Sequence, residues 1–319
     1  GEYWRNILQS IPTLDLPTDN RRTSDVHFEG QRITQIIDKS IVQEIKKSCI
    51  KNSVTLHSFL MAAVCVLLSK YTNQEDIIIG TPMAGRFRKD FFDTIGMFVN
   101  TLPVRCFPVK EKTFQQFVKE ISREMLEITE NQEYPIDSLY RLVKSHGEAG
   151  RNPLFDVIFV MENIEYPDFS EKDVFQSAEL YYDETAKFDL NFTVEEIEEQ
   201  LFFHIEYRKN LFERSTIERM FMHFLQLINN TLNNMDILIS QMNILSAREE
   251  TDLLYLYNRT SAEWPQDASI QSLFEEQADT YPDRVAVEYG NKKITYRELD
   301  EKSNQIARIL KKDLSLPIM

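Results

Sequence analysis

Five histidines could accept or deliver a proton near neutral pH, and no two are neighbours: His27, His57, His146, His204 and His223. His146 lies in KSHGEAGR with no cysteine or serine nucleophile motif beside it. His57, His204 and His223 fall in apolar or alternating runs, where a core or surface histidine is the plainer role. The three cysteines, Cys49, Cys65 and Cys106, form no Cys-x-x-Cys, which excludes a zinc ribbon or a thioredoxin-type pair. Cys49 and Cys65 sit in helical patterns and read as buried thiols. A reducing, cytoplasmic compartment fits this usage. There is no Gly-x-Ser-x-Gly, no His-Glu-x-x-His and no carboxylate pair of recognisable spacing.

One loop stands out. The chain has only eight glycines, and Gly80, Gly85 and Gly96 fall close together. Gly80-Thr-Pro-Met-Ala-Gly85 has the glycine spacing of a phosphate-binding loop. Arg86 and Phe87 follow where Lys and Ser or Thr are required, so nucleotide binding there is excluded. Gly80, Pro82 and Gly85 punctuate the exit of a strand, where backbone can approach a ligand closely. Thr81, Arg86 and Asn100 are polar residues in otherwise apolar runs. Arg86 and Asn100 either anchor the loop on backbone groups or touch a substrate directly.

Capped helices and buried strands must hold this loop. Ser40-x-x-Gln43 predicts a helix to about Asn52, Thr113-x-x-Gln116 a second, and Ser215-x-x-Glu218 a third. Thr55 to Tyr71 is apolar on nearly every side and reads as a buried helix sharing a layer with the helix from Thr113. Pro135 opens a short helix. Asp76–Gly80 and Leu154–Met161 read as buried strands. Phe188 to Val194 alternates with Asp189, Asn191 and Thr193, a strand with one wet face, and Leu201–Arg208 repeats the pattern as its hairpin partner. Mixed strand types and order predict an α+β sandwich of mixed sheet and helices, not a doubly wound parallel sheet.

The chain's 319 residues suit two domains at roughly 100–200 residues each. The formal net charge is -15, which argues against a nucleic-acid partner. Thirteen acidic residues between Glu162 and Gln200, against Lys172 and Lys187, supply most of the excess. That stretch reads as a solvated crossover with little regular structure. The longest apolar run, Phe59–Leu68, is too short for a membrane helix, which needs ~18 residues. The N-terminus GEYWRNILQS has neither the basic start nor the apolar stretch of a signal peptide. A boundary is expected near residue 246, a polar linker over 247–264, and a different unit over 265–319. That unit holds a helix at Ile270–Tyr281, a Gly290-Asn291 hairpin and a Thr295-x-x-Glu298 capped helix.

Six segments occur in an order that resembles the condensation domain of nonribosomal peptide synthetases. They are DIIIGTPMAGR (76–86), IGMFVNTLPVR (95–105), EYPIDSLYRLV (133–143), RNPLFDVIFVMEN (151–163), AKFDLNFTV (186–194) and EYRKNLFERSTIERM (206–220). ITYRELDEKSNQIARIL (294–310) resembles the opening motif of an adenylation domain. The resemblance implies a chloramphenicol-acetyltransferase-like fold of two halves meeting at a tunnel. Residues 1–246 would be the second half, and 265–319 a small partial α/β tail. The floor of the tunnel would be formed around Gly80, Thr81, Pro82, Gly85, Arg86 and Asn100, and chain after Asn163 would cross to the other half. The implied partners are peptidyl carrier domains bearing phosphopantetheine, the upstream half and a downstream adenylation domain, with no cofactor bound directly, no metal, no nucleic acid and no membrane. The implied reaction is amide formation between carrier-bound aminoacyl or peptidyl thioesters.

The sequence departs from the family in one respect. The His-His-x-x-x-Asp-Gly motif, credited with positioning or deprotonating the amine, does not occur in it. The chain is therefore expected to be inactive alone. The alternative is a non-catalytic docking platform for carrier and adenylation domains.

Overall fold

A computed structural model describes residues 1–23, 27–86, 89–92, 94–143, 150–162, 184–263 and 267–314. His146 and most of the acidic crossover lie outside the described residues. The chain divides into two compact units, Gly1–Asp252 and Leu253–Met319.

The first unit is built on a six-stranded mixed sheet. Its strands are β1 (Gly30–Ile37), β2 (Ile77–Met83), β3 (Asn100–Cys106), β4 (Val157–Glu162), β5 (Leu190–Ile197) and β6 (Gln200–Arg208), in the order β1-β6-β5-β4-β2-β3. β4 runs parallel to β2 and β5, and the other pairs are antiparallel. The expected hairpin is β5–β6, turning through Glu198 and Glu199, both at positive φ.

The helices of this unit are α1 (Glu2–Ile7), α2 (Lys39–Asn52), α3 (Leu56–Thr72), α4 (Phe114–Glu130), α5 (Ile136–Leu142), α6 (Arg214–Asn233) and α7 (Ala247–Thr251). Every residue of α3 from Phe59 to Leu68 is buried, because α2, α4 and α6 all pack on it. The edge of His57 meets Phe159 of β4 at 5.3 Å, and Cys65 Sγ lies 3.4 Å from Cys106 Sγ of β3. Phe59 packs edge-on against Phe114 of α4 at 5.3 Å, so α3 and α4 share a layer as expected. All three cysteines are free and buried, and two that are distant in sequence touch in space. No single helix among the described residues is long and apolar enough to cross a membrane.

Three local expectations need correction. The N-cap position of α2 is Asp38 rather than Ser40, because β1 ends one residue earlier and Asp38 is already in the extended conformation of a helix entry, although its side chain makes no capping hydrogen bond. α6 starts at Arg214, with Ser215 inside it. Its first turn is capped from far away by Asp19, whose carboxylate accepts from Glu213 N at 2.8 Å and Thr216 Oγ1 at 2.9 Å. The face of the β5 segment expected to be wet is largely closed: Asp189 and Thr193 are buried, and Asp189 is paired with Arg22 and Arg208.

The capping boxes at Thr113 and Ser246 form as expected. In the second unit, α8 (Ile270–Thr280) precedes the hairpin β7 (Val285–Tyr289) and β8 (Lys292–Thr295), which turns at Gly290 with φ +58°. α9 (Tyr296–Leu314) follows, with Glu298 N donating to Thr295 Oγ1 at 3.2 Å.

Candidate functional site

The glycine-bracketed loop grows out of β2. The sequence places Gly80 and Pro82 at a strand exit. In the structure both are inside β2, paired with Pro103 and Thr101 of β3, and only Gly85 marks the exit. Gly80 is needed for packing. A Cβ there would come within 2.3 Å of the Phe155 ring, and Gly80 forms the parallel bridge to Ile158 of β4. Thr81 is buried and donates its hydroxyl to the Phe159 carbonyl at 3.0 Å, closing the same seam. Gly85 has φ +66°, and a Cβ would sit 1.9 Å from the Phe98 carbonyl oxygen. An immovable backbone atom at that distance leaves glycine as the one residue that fits.

Arg86 follows Gly85 and is turned onto the loop. Its guanidinium donates to the carbonyls of Phe91, of Thr94 at 2.9 Å, and more weakly of Phe92 and Gly96 at 3.4 Å. It also lies 4.5 Å over the Phe98 ring. Five donors in a planar fork suit one side chain to several carbonyls. Asn100 anchors in the same way. Its amide donates to Gln132 O at 3.0 Å and Tyr134 O at 2.9 Å, and its oxygen accepts from Ile136 N at 3.3 Å. That last bond satisfies a first-turn donor of α5 that Pro135 leaves uncapped. Arg86 and Asn100 thus both take the backbone-anchoring arrangement.

The loop they hold presents an apolar rim. Ile95 is fully exposed, Met97 nearly so, and Phe92 and Val99 more than half. Sequence reasoning missed its supports. Asp156 accepts from Arg151 Nη1 at 2.7 Å and Asn152 N at 3.1 Å, and Asn152 Oδ1 accepts from Leu154 N at 2.9 Å. Together these seat Phe155 over Gly80. The segment RNPLFD carries all of them. No periodicity marks a turn closed by its own polar side chains, so pattern reading gave no signal for it.

The described histidines assemble no proton-transfer pair. Burial holds His57 down to about 4, and burial with the nearby Arg32 cation holds His204 down to about 4. Both are poor bases at neutral pH. His204 Nδ1 meets Thr34 Oγ1 at 2.9 Å, and His223 is tied between Tyr71 and Glu249. Burial pushes the Cys49 thiol up to about 11, and the hydrogen bond with Cys65 together with burial pushes Cys106 well up, so both are inert as nucleophiles. A cleft of about 510 Å³ beside His57 is lined by Val54, Leu56, Met125, Leu126 and Met161, and by none of the glycine-loop residues. No cluster of metal-ligating side chains occurs among the described residues.

The condensation-domain family matches residues 1–254, and the AMP-binding enzyme family matches residues 274–316. Gramicidin S synthase 2 of Brevibacillus brevis is 38% identical over 310 residues, 97% of this chain and 7% of that synthase. Bacitracin synthase 3 of Bacillus licheniformis is 39% identical over 312 residues, 97% of this chain and 5% of that protein. The chain thus spans less than a tenth of these relatives. Among solved structures, a four-domain nonribosomal peptide synthetase bound to AMP and glycine superposes with a TM-score of 0.76 at 19% identity, over 98% of this chain and 25% of that one. The X-domain from teicoplanin biosynthesis superposes with a TM-score of 0.70 at 22% identity, over 76% of this chain and 56% of that one. At these identities the two structures speak for the fold alone, the expected α+β sandwich. With four-fifths of its length matched, the chain belongs to the condensation-domain family, and the start of an AMP-binding enzyme follows it.

Proposed function

We propose that residues 1–246 are the second half of a peptide-bond-forming condensation domain, that 247–264 link it onward, and that 265–319 open an adenylation domain. The amine of an acceptor aminoacyl thioester attacks the carbonyl of a donor thioester. The C–N bond forms, the C–S bond breaks, the donor thiol leaves with a proton, and the amine loses one. Phosphopantetheine arms on carrier domains would present the two thioesters. The uncharged amide portion of such an arm fits the rim of Phe92, Ile95, Met97 and Val99, where the Arg86 guanidinium is engaged by carbonyls. This chain's part is positioning, which can contribute on the order of 7–11 kcal/mol. Gly80, Thr81, Pro82, Gly85, Arg86 and Asn100 build the rigid base of that rim, proposed as the tunnel floor. The upstream half would bear on it and supply the base. A cytoplasmic location accords with the buried free thiols.

Three of the histidines support the reading that the base lies elsewhere: desolvation makes His57 and His204 weak bases, and His223 is engaged on both nitrogens. A general base contributes roughly 10²–10⁴ in rate. With loaded donor and acceptor carriers, residues 1–319 alone should give no dipeptidyl product by mass spectrometry of the acceptor arm, and adding the upstream half should restore it. Product from 1–319 alone would refute the reading. Carrier binding without product, even with the upstream half, would favour the docking platform.

A further inference from the structure

Side chains from three helices far apart in sequence line up at the end of the first unit. Tyr71, in the last turn of α3, donates its hydroxyl to His223 Nδ1 of α6 at 2.7 Å. His223 Nε2 donates to Glu249 Oε1 of α7 at 3.0 Å. Glu249 Oε2 accepts from Ser246 N at 2.9 Å and Ser246 Oγ at 2.7 Å. The tautomer with its proton on Nε2 satisfies both contacts of the ring. The series therefore runs in one direction, from the Tyr71 hydroxyl to the Glu249 carboxylate, with each donor facing an acceptor.

Little else holds α7. It has five residues and none is buried. An isolated helix that short does not persist in water. Met242 is the last buried residue of the first unit, and among the described residues after it only Ala278 is buried. Directly behind α7 the chain widens into a π-helical turn, Asp252–Leu256, and Leu253 to Tyr257 are all about half exposed or more. Such turns are uncommon and mark places where a helix is interrupted. α7 is thus a short helix seated by one buried histidine, with an exposed π-turn at its outer end.

We propose that Tyr71, His223 and Glu249 form a releasable latch that sets where the free tether to the downstream unit begins. Latched, the first unit holds the chain to Asp252. Unlatched, its last ties are Met242, the bond from Asn230 Nδ2 to the Asn243 carbonyl at 2.8 Å, and Ile244, which packs on the core. Release would free residues 245–252, roughly 27 Å of extended chain. The latch adjusts the reach of whatever follows. It is independent of the reaction assigned to the first unit.

Hydrogen exchange on residues 1–319, read by mass spectrometry, tests the latch. Glu249→Ala and His223→Phe should speed exchange of amides 247–257 about fivefold or more, Tyr71→Phe by less, and Glu250→Ala not at all, with α3 and α6 unchanged. Spin labels at Lys47→Cys and Lys302→Cys should show a broader, longer distance distribution in the Glu249→Ala background. Should His223→Phe fail to fold, Glu249→Ala, altered at the surface, still decides. Unchanged exchange over 247–257, an unchanged distance distribution, or acceleration spread equally through α6 would overturn the proposal.

Discussion

Arg86 holds loop carbonyls from Phe91 to Gly96 by contacts that lysine cannot copy, since an ammonium reaches fewer carbonyls and does not stack on Phe98 in the same way. Arg86→Lys should therefore leave the body folded but open the loop. Chymotrypsin should cut at Phe91, Phe92 or Phe98 several-fold faster, with the urea midpoint little changed. Gly85→Ala meets the Phe98 carbonyl and a left-handed backbone at once, and should cost about 1–3 kcal/mol in urea unfolding. His57 makes a pH prediction. Its folded value is about 4 against 6.5 unperturbed, so between those limits the unfolded chain binds a proton that the folded chain refuses. Stability is full above pH 6.5 and falls as pH drops toward 4, by up to about 3 kcal/mol for this residue. His204 titrates in the same window, so His57→Phe should remove only part of the slope of urea midpoint against pH. The sequence offered two roles for Arg86 and Asn100. Their carbonyl targets lie in irregular backbone, which has no period to read, so the sequence alone leaves both roles open.

Among the elements, α3 and α4 were the most legible, because a wide apolar face leaves a helix few places to go. Leu67 and Phe117 are both buried, and replacing either with Ala should cost about 2–5 kcal/mol by calorimetry. The caps divide by range. Thr113, Ser246 and Thr295 act on residues three positions away and could be read directly. The cap of α6 could not, since Asp19 comes from 194 positions earlier. Asp19→Ala should cost about 1 kcal/mol and speed exchange in the first turn of α6, whereas Ser215→Ala should do neither. β5 was misread for a related reason. Alternating polar residues look solvated, yet Asp189 is closed over by Arg22 and Arg208, which arrive from elsewhere in the chain.

At the scale of the molecule, six ordered segments were enough to point to the family, while the order of strands beyond the β5–β6 hairpin was not readable. β1 lies at the sheet edge beside β6, and no local signal joins strands so distant in sequence. The second unit exposes the apolar side chains of Val285, Val287, Ile306, Ile309 and Leu310. Exposed apolar surface of this kind promotes association. Sedimentation velocity of residues 1–319 should show concentration-dependent self-association, and Ile306→Glu with Ile309→Lys should abolish it. A strictly monomeric parent would count against that surface.

The pairing of β1 with β6 also has a consequence in time. Thr34 and His204 face each other across 170 positions. A ribosome adding ~5–20 residues per second leaves β1 without its neighbour for roughly 10–30 s. During that interval α2 and α3, the most apolar helix of the chain, must wait beside an unpaired strand edge. Contacts of such long range also slow folding. Refolding from urea should be slow, and the newly made chain should depend on chaperones until β6 emerges.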